Sequence, residues 1–252
     1  MKQKLLLIAG ALIFTTTISA QGIKGWMDKV TKKDTSGKSI FDKVMKNPVS
    51  KGGLSNDDII SGLKEALRVG TDSSATRLSK VDGFFADAAV KILMPAEAKK
   101  VENTLRNLGM GKMVDKAVLS MNRAAEDAAK GVGNIFWNSI KQMSIKDGLQ
   151  ILRGGDFAAT DYLKKTTTVE LTDRFRPVIE TSLAKVDATK YWKDVFSTYN
   201  KFSNSPVNTD LVAYVTERAL SGLFFNIGLE EQKIRKDPAA RVTDILKKVF
   251  AK

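Results

Sequence analysis

The chain has 252 residues, 41 of them lysine or arginine against 28 aspartate or glutamate, for a formal charge of +13, and it contains neither histidine nor cysteine. Without histidine there is no serine-histidine triad, no histidine general base and none of the usual zinc sites. Without cysteine there is no thiol nucleophile, thiolate metal centre or disulfide. Any catalysis would rest on carboxylates, lysine, serine or tyrosine, and no metal or cofactor is implied.

The first twenty residues carry Lys2 and Lys4, then an apolar run from Leu5 to Phe14, then a small polar stretch ending Ile18-Ser19-Ala20. That order predicts a secretory signal peptide over residues 1–20, cut after Ala20 to leave Gln21 as the mature N-terminus. Spanning a bilayer takes roughly 20 apolar residues, about twice this run. Lipid anchoring would need a cysteine at the cleavage point, and there is none. A periplasmic or secreted location is expected.

Removing Lys2 and Lys4 with the leader leaves +11. Eight lysines and three aspartates put +5 of that on residues 21–52, which read as a basic flexible arm. Ile40, Phe41, Val44 and Met45 could form one short helical face within it. A chain this basic is drawn to anionic surfaces. For an exported protein those are lipid head groups, phosphorylated glycans or acidic wall polymers rather than nucleic acid, and peripheral membrane contact is a possibility.

From Leu54 onward apolar residues recur at helical spacing, and alternation of the strand type is nearly absent. Residues 53–252 are therefore expected to form an all-α, single multi-helix domain of about eight to ten helices. Ser55 with Asp58, and Ser144 with Asp147, have the spacing of N-terminal capping boxes. Pro95 and Pro238 suit first helical turns. Gly109-Met110-Gly111 and Gly154-Gly155 are expected stops. Between them a helix over 112–129 buries Val114, Val118, Met121, Ala125 and Ala128. Pro177 is expected to kink or split its helix. Leu211, Val215, Leu223 and Ile227 form one late stripe, and Val242, Ile245, Leu246 and Val249 another. The six residues from Thr160 faintly echo the six from Thr243, without a fixed period.

Ser61 with Lys64, and Ser182 with Lys185, have the serine-lysine spacing of some acyltransferases, but the companion motifs are missing. Taking Val114 as the core direction, Asn122, Glu126 and Asp115 fall on the shoulder of their helix. There they can bond a neighbouring helix or contact a ligand. Arg174 and Arg176 sit beside Pro177, where a broken helix would free carbonyls and arginine forks suit carboxylate or phosphate. Arg235, Lys236, Asp237 and Arg241 surround the start of the last expected helix, as an anion site or an internal ion-pair network. The candidate ligand contacts are thus Asn122, Glu126, Arg174, Arg176, Arg235 and Arg241, with no catalytic or metal-binding set.

Five stretches together resemble a bacterial family catalogued as domain of unknown function 4197: Gly62–Gly70 (GLKEALRVG), Leu119–Glu126 (LSMNRAAE), Arg174–Pro177 (RFRP), Tyr214–Phe224 (YVTERALSGLF) and Ile234–Arg241 (IRKDPAAR). The resemblance runs from about residue 53 to the C-terminus. It implies an exported helical bacterial protein and supplies no catalytic residues. The reading that follows is a non-enzymatic envelope protein binding an anionic lipid, glycan or protein partner. Two alternatives stay open: a carboxylate-dependent hydrolase of envelope glycan with Glu126 as its acid, and a structural partner of another envelope protein.

Overall fold

The computed structural model describes residues 55–201, 204, 206, 209–237 and 247. The expected signal peptide, the basic arm with its short helix, Pro238, Arg241 and the stripe from Val242 to Val249 lie outside the described residues. Among the described residues there are eight α-helices and no strand. They are α1 (Asn56–Leu78), α2 (Lys99–Asn107), α3 (Gly111–Ala128), α4 (Gly133–Gln142), α5 (Ile145–Arg153), α6 (Ala158–Ala184), α7 (Ala188–Asn200) and α8 (Leu211–Lys236). A single 3-10 turn, Ala96–Ala98, leads into α2.

Local chemistry sets several of these boundaries. Ser55 and Ser144 both close full capping boxes, with the serine Oγ accepting from the backbone of Asp58 or Asp147 and that aspartate accepting from the serine N–H. Each box satisfies amide donors that a helix start otherwise leaves without partners. Gly109, at φ 79°, takes the left-handed conformation that separates α2 from α3. Pro95 stands just before the 3-10 turn, where its missing N–H costs nothing.

The core is one cluster built around α6 and α8, with α3 against α6, and α1 against α8, α4 and α5. On α6 the buried positions are Ala159, Thr160, Leu163, Thr167, Leu171, Phe175, Ile179 and Leu183. Apart from Thr160 they recur at every fourth residue, which advances about 40° per step around a 3.6-residue helix. The buried line therefore winds around α6, consistent with its contacts to five other helices. Ala124, Ala125 and Ala128 on α3 are almost fully buried, and their small side chains let α3 approach closely.

One expectation is corrected here: α6 runs unbroken through Pro177 from Ala158 to Ala184. Proline costs the helix one hydrogen bond to the carbonyl four residues earlier. Both Pro177 and Asp173, which owns that carbonyl, are exposed, so water can satisfy the carbonyl. Packing of Phe175, Ile179 and Leu183 on either side of the proline holds the helix together.

The segment 79–95 between α1 and the 3-10 turn has no regular structure, yet it buries Phe84, Val90, Ile92 and Met94. Gly222 of α8 makes room for it: a Cβ there would lie 2.8 Å from the Phe84 ring and 3.1 Å from Val90 Cβ. Burying one phenylalanine is worth about 1.5–3 kcal/mol, but a long irregular segment must also satisfy its backbone polar groups. Turns within the segment do part of this, as where Gly83 N bonds Lys80 O and Lys91 N bonds Asp87 O, and α3 does much of the rest.

Candidate functional site

Asn122 and Glu126, one helical turn apart on α3, both face the 79–95 segment. The Asn122 amide is fully buried and is bonded on both sides. Its Oδ1 accepts from Ile92 N at 2.8 Å, and its Nδ2 donates to Ile92 O at 2.8 Å and to Val118 O at 2.7 Å. It presents to Ile92 the donor and acceptor pair that a neighbouring strand would. Glu126 accepts from Phe84 N at 3.1 Å and Phe85 N at 3.2 Å through one oxygen, and from Arg123 at 2.6 Å through the other. Arg123 reaches on to Asp82 at 2.7 Å, where the chain takes a positive φ of 68°. Hydrogen bonds donated to Glu126 and Asp82 raise the Arg123 guanidinium above its ordinary value, keeping it charged. Asp115, the third residue on this shoulder, is exposed and pairs with Arg106 at 2.9 Å, tying α3 to α2.

The same device recurs at the other end of the bundle. Glu231 of α8 is buried and accepts from Ala159 N at 3.0 Å, Thr160 N at 2.8 Å and Thr160 Oγ1 at 2.8 Å. It thereby caps the start of α6, where Phe157 supplies no side-chain cap. Its charge is balanced by Arg235, which lies 2.7 Å away and also donates to Ile151 O at 2.8 Å. Lys236 pairs with Asp156 at 2.7 Å.

The six sequence candidates are not brought together into one site. Arg176 donates to Asp210 at 2.7 Å, and Asp210 caps α8 by accepting from Ala213 N at 2.9 Å. Burial pushes the Asp210 carboxyl up, but the hydrogen bonds from Arg176 and Ala213 and the Arg176 charge outweigh it and hold it below the usual range. Arg174 is exposed, beside Gly131 after α3. Arg235 is partly buried in its pair with Glu231, and Arg241 lies outside the described residues. Neither serine-lysine spacing joins hydroxyl to amine: Lys64 donates to Lys141 O at 3.0 Å and Ser182 to Asp127 at 3.0 Å.

A different place concentrates open chemistry. A groove of about 580 Å³ lies between the wall 91–97, α7 and the first turns of α8. Lys91 and Glu97 come from the wall, Glu217 and Arg218 from α8, with Trp192 and Tyr214 between them. Its volume falls within the range of small-ligand sites. Tyr214 bridges the two sides, donating its hydroxyl to Leu93 O at 2.8 Å. Burial pushes the Tyr214 hydroxyl up, the Arg218 charge partly offsets this, and Glu97 and Glu217 push it further, so it stays a donor. Trp192 is buried against Phe196, with ring centroids 4.4 Å apart. Lys91 lies 3.9 Å over the Phe85 ring. Among the described residues no ion pair engages Lys91, Glu97, Glu217 or Arg218.

Sequence reasoning missed this groove. Tyr214, Glu217 and Arg218 stand within one of the quoted stretches, and their spacing puts them along one side of a helix. Their partners on the wall are more than a hundred positions away. Among the described residues no cluster of acidic side chains could hold a metal ion, and no helix is long and apolar enough to cross a membrane.

Comparison with known proteins adds one finding. No curated protein and no solved structure matches the chain. The family model described as "Protein of unknown function (DUF4197)" matches residues 53–251, which takes in all eight helices, the α3 fastening and the groove. The chain belongs to that family.

Proposed function

We propose that this is an exported, non-enzymatic binding protein of the bacterial envelope, which holds its ligand in the groove between residues 91–97, α7 and α8. One observation carries the reading: the buried carboxylates are used up inside the fold, whereas the groove's charged side chains have no ion-pair partner among the described residues. Glu126 has two amides and an arginine on its oxygens, and Glu231 has two amides, a hydroxyl and an arginine. A hydrolase needs one carboxyl free to protonate a leaving group, and Glu126 has no such freedom.

The leader-like N-terminus supports export, and the +5 arm supports a first, salt-sensitive attraction to anionic lipid or wall polymer. The groove then holds a separate ligand at that surface. The test is co-sedimentation of the protein starting at Gln21 with anionic vesicles, neutral vesicles and cell-wall sacculi over a salt series. Binding to the anionic materials that fades with salt, and weakens when residues 21–52 are deleted, is the expected result. Binding to none of them at low salt overturns the envelope reading. It would redirect attention to the exposed apolar turn of Leu108, Met110 and Met113 as a contact for a partner protein.

A further inference from the structure

We infer that the ligand of this groove is a zwitterion, of the class of a short peptide with a free ammonium and a free carboxylate; this rests on the groove being the binding site. Each wall carries one charge of each sign, Lys91 and Glu97 on the 91–97 side and Glu217 and Arg218 on α8. The lining is therefore formally neutral, unlike the chain as a whole at +13.

Elsewhere in the described residues eleven oppositely charged pairs close into ion pairs. These four do not. Neither wall pairs with the other, and on α8 Glu217 and Arg218 are consecutive, a spacing at which side chains of a helix do not face each other. The fold thus keeps two cations and two anions around one space without letting them neutralise.

A ligand with one charge of each sign completes both halves at once: its carboxylate meets Lys91 or Arg218, and its ammonium meets Glu97 or Glu217. A simple anion would gain two attractions and meet two repulsions, so the groove selects against the partners that the basic arm attracts. An uncharged sugar would leave all four charges unanswered while displacing their water. Tyr214, held as a donor to Leu93, ties α8 to the 91–97 side.

The test captures pooled tripeptides on the immobilised protein starting at Gln21 and identifies the retained ones by mass spectrometry. Four pools are compared: free termini, acetylated N-terminus, amidated C-terminus, and both blocked. Retention of the free-termini pool, falling about tenfold or more when either end is blocked, is expected, since a charge-assisted hydrogen bond is worth at least that factor. Lys91→Ala with Arg218→Ala abolishes the dependence on the carboxylate. Glu97→Gln with Glu217→Gln abolishes the dependence on the ammonium. All four residues lie at the surface of the groove, and circular dichroism checks that the variants fold.

Retention of the doubly blocked pool equal to the free pool overturns the zwitterion while leaving the groove as the site, provided that Ala96→Trp, which fills the groove from its rim, abolishes retention. Equal retention by Ala96→Trp and the unaltered protein moves the ligand elsewhere and overturns the groove reading as well. No retention of any pool overturns the zwitterion, and the vesicle and sacculus assay then judges the envelope reading separately.

Discussion

Asn122→Ala removes the one side chain that answers both backbone groups of Ile92. Ile92 is 1 % exposed, so neither its N–H nor its C=O can turn to water once the amide is gone. Leaving a buried donor or acceptor without a partner costs about 1–3 kcal/mol each, so the two together cost about 2–6 kcal/mol. The third bond, to Val118 O, adds little, because that carbonyl also accepts within α3. Because the loss falls on an irregular segment, part of it is expected as local opening rather than global unfolding. Two readouts are therefore needed: the urea midpoint by tryptophan fluorescence, and amide exchange of residues 84–95 by mass spectrometry. The variant should show a lower midpoint, faster exchange at Ile92, or both. Asn122→Asp, which keeps the acceptor and loses the donor, should fall no closer to the unaltered protein than half the effect. An Asn122→Ala protein matching the unaltered one in both midpoint and Ile92 exchange would refute the claim that α3 fastens the wall.

Two further predictions follow from the ionised groups. Glu231→Ala leaves the Ala159 and Thr160 amides without that acceptor and removes the carboxylate paired with Arg235, whose side chain is 13 % exposed, so it should cost about 3–5 kcal/mol. Adding Arg235→Ala should recover part of that, and a double-mutant cycle by urea unfolding showing strict additivity would contradict the pairing. Acid should destabilise the protein through Asp210, Glu102 and Asp127. In each, burial raises the carboxyl but hydrogen bonds and charges outweigh it: from Arg176 at Asp210, from Lys99 and Arg106 at Glu102, from Lys130 and Ser182 at Asp127. A carboxyl lowered by folding stabilises above its unfolded value, 3.8 for Asp or 4.5 for Glu, and that stability is lost as pH falls through the folded value. Asp72, raised by burial more than Arg68 lowers it, runs the other way and offsets part of the loss. The urea midpoint should therefore decline from about pH 5 downward, and Arg176→Ala should flatten that decline. A midpoint indifferent to acid would remove these ion pairs from the account of stability.

Features whose partners lie within one helical turn were legible in the sequence. The two serine-aspartate capping boxes and the buried stripe of α3 need only local spacing, and the structure has them at those residues. Pro177 was read by its local rule alone, and the rule yielded to packing on both sides of it and to water on the outer face. Asn122 and Glu126 stood out on the shoulder of α3, but their partners lie 30 and about 40 positions earlier, in a segment without periodicity. Nothing in the sequence says which segment folds back onto them. The groove was still less legible, since its walls come from residues 91, 93–97, 192, 206, 214, 217 and 218, which no local spacing links until the helices bring them together. Arg235 carried two readings, an anion contact and an internal ion pair, and the structure pairs it with Glu231 four residues before it; the amides and hydroxyl that also bond Glu231 lie more than seventy positions away and had no local signal.

The fastening of Ile92 has a consequence for how such a protein changes over generations. What α3 grips is the backbone of that residue, and a backbone offers the same two groups whatever side chains stand next to it. Lys91, Leu93 and Pro95 are therefore under little obligation to the fold, while their positions around the groove are held constant from behind. Mutation can rewrite the groove's surface one side chain at a time at small cost in stability, in the way surface loops diversify on a fixed scaffold. Under the proposed reading, what the groove accepts could change without any change of fold.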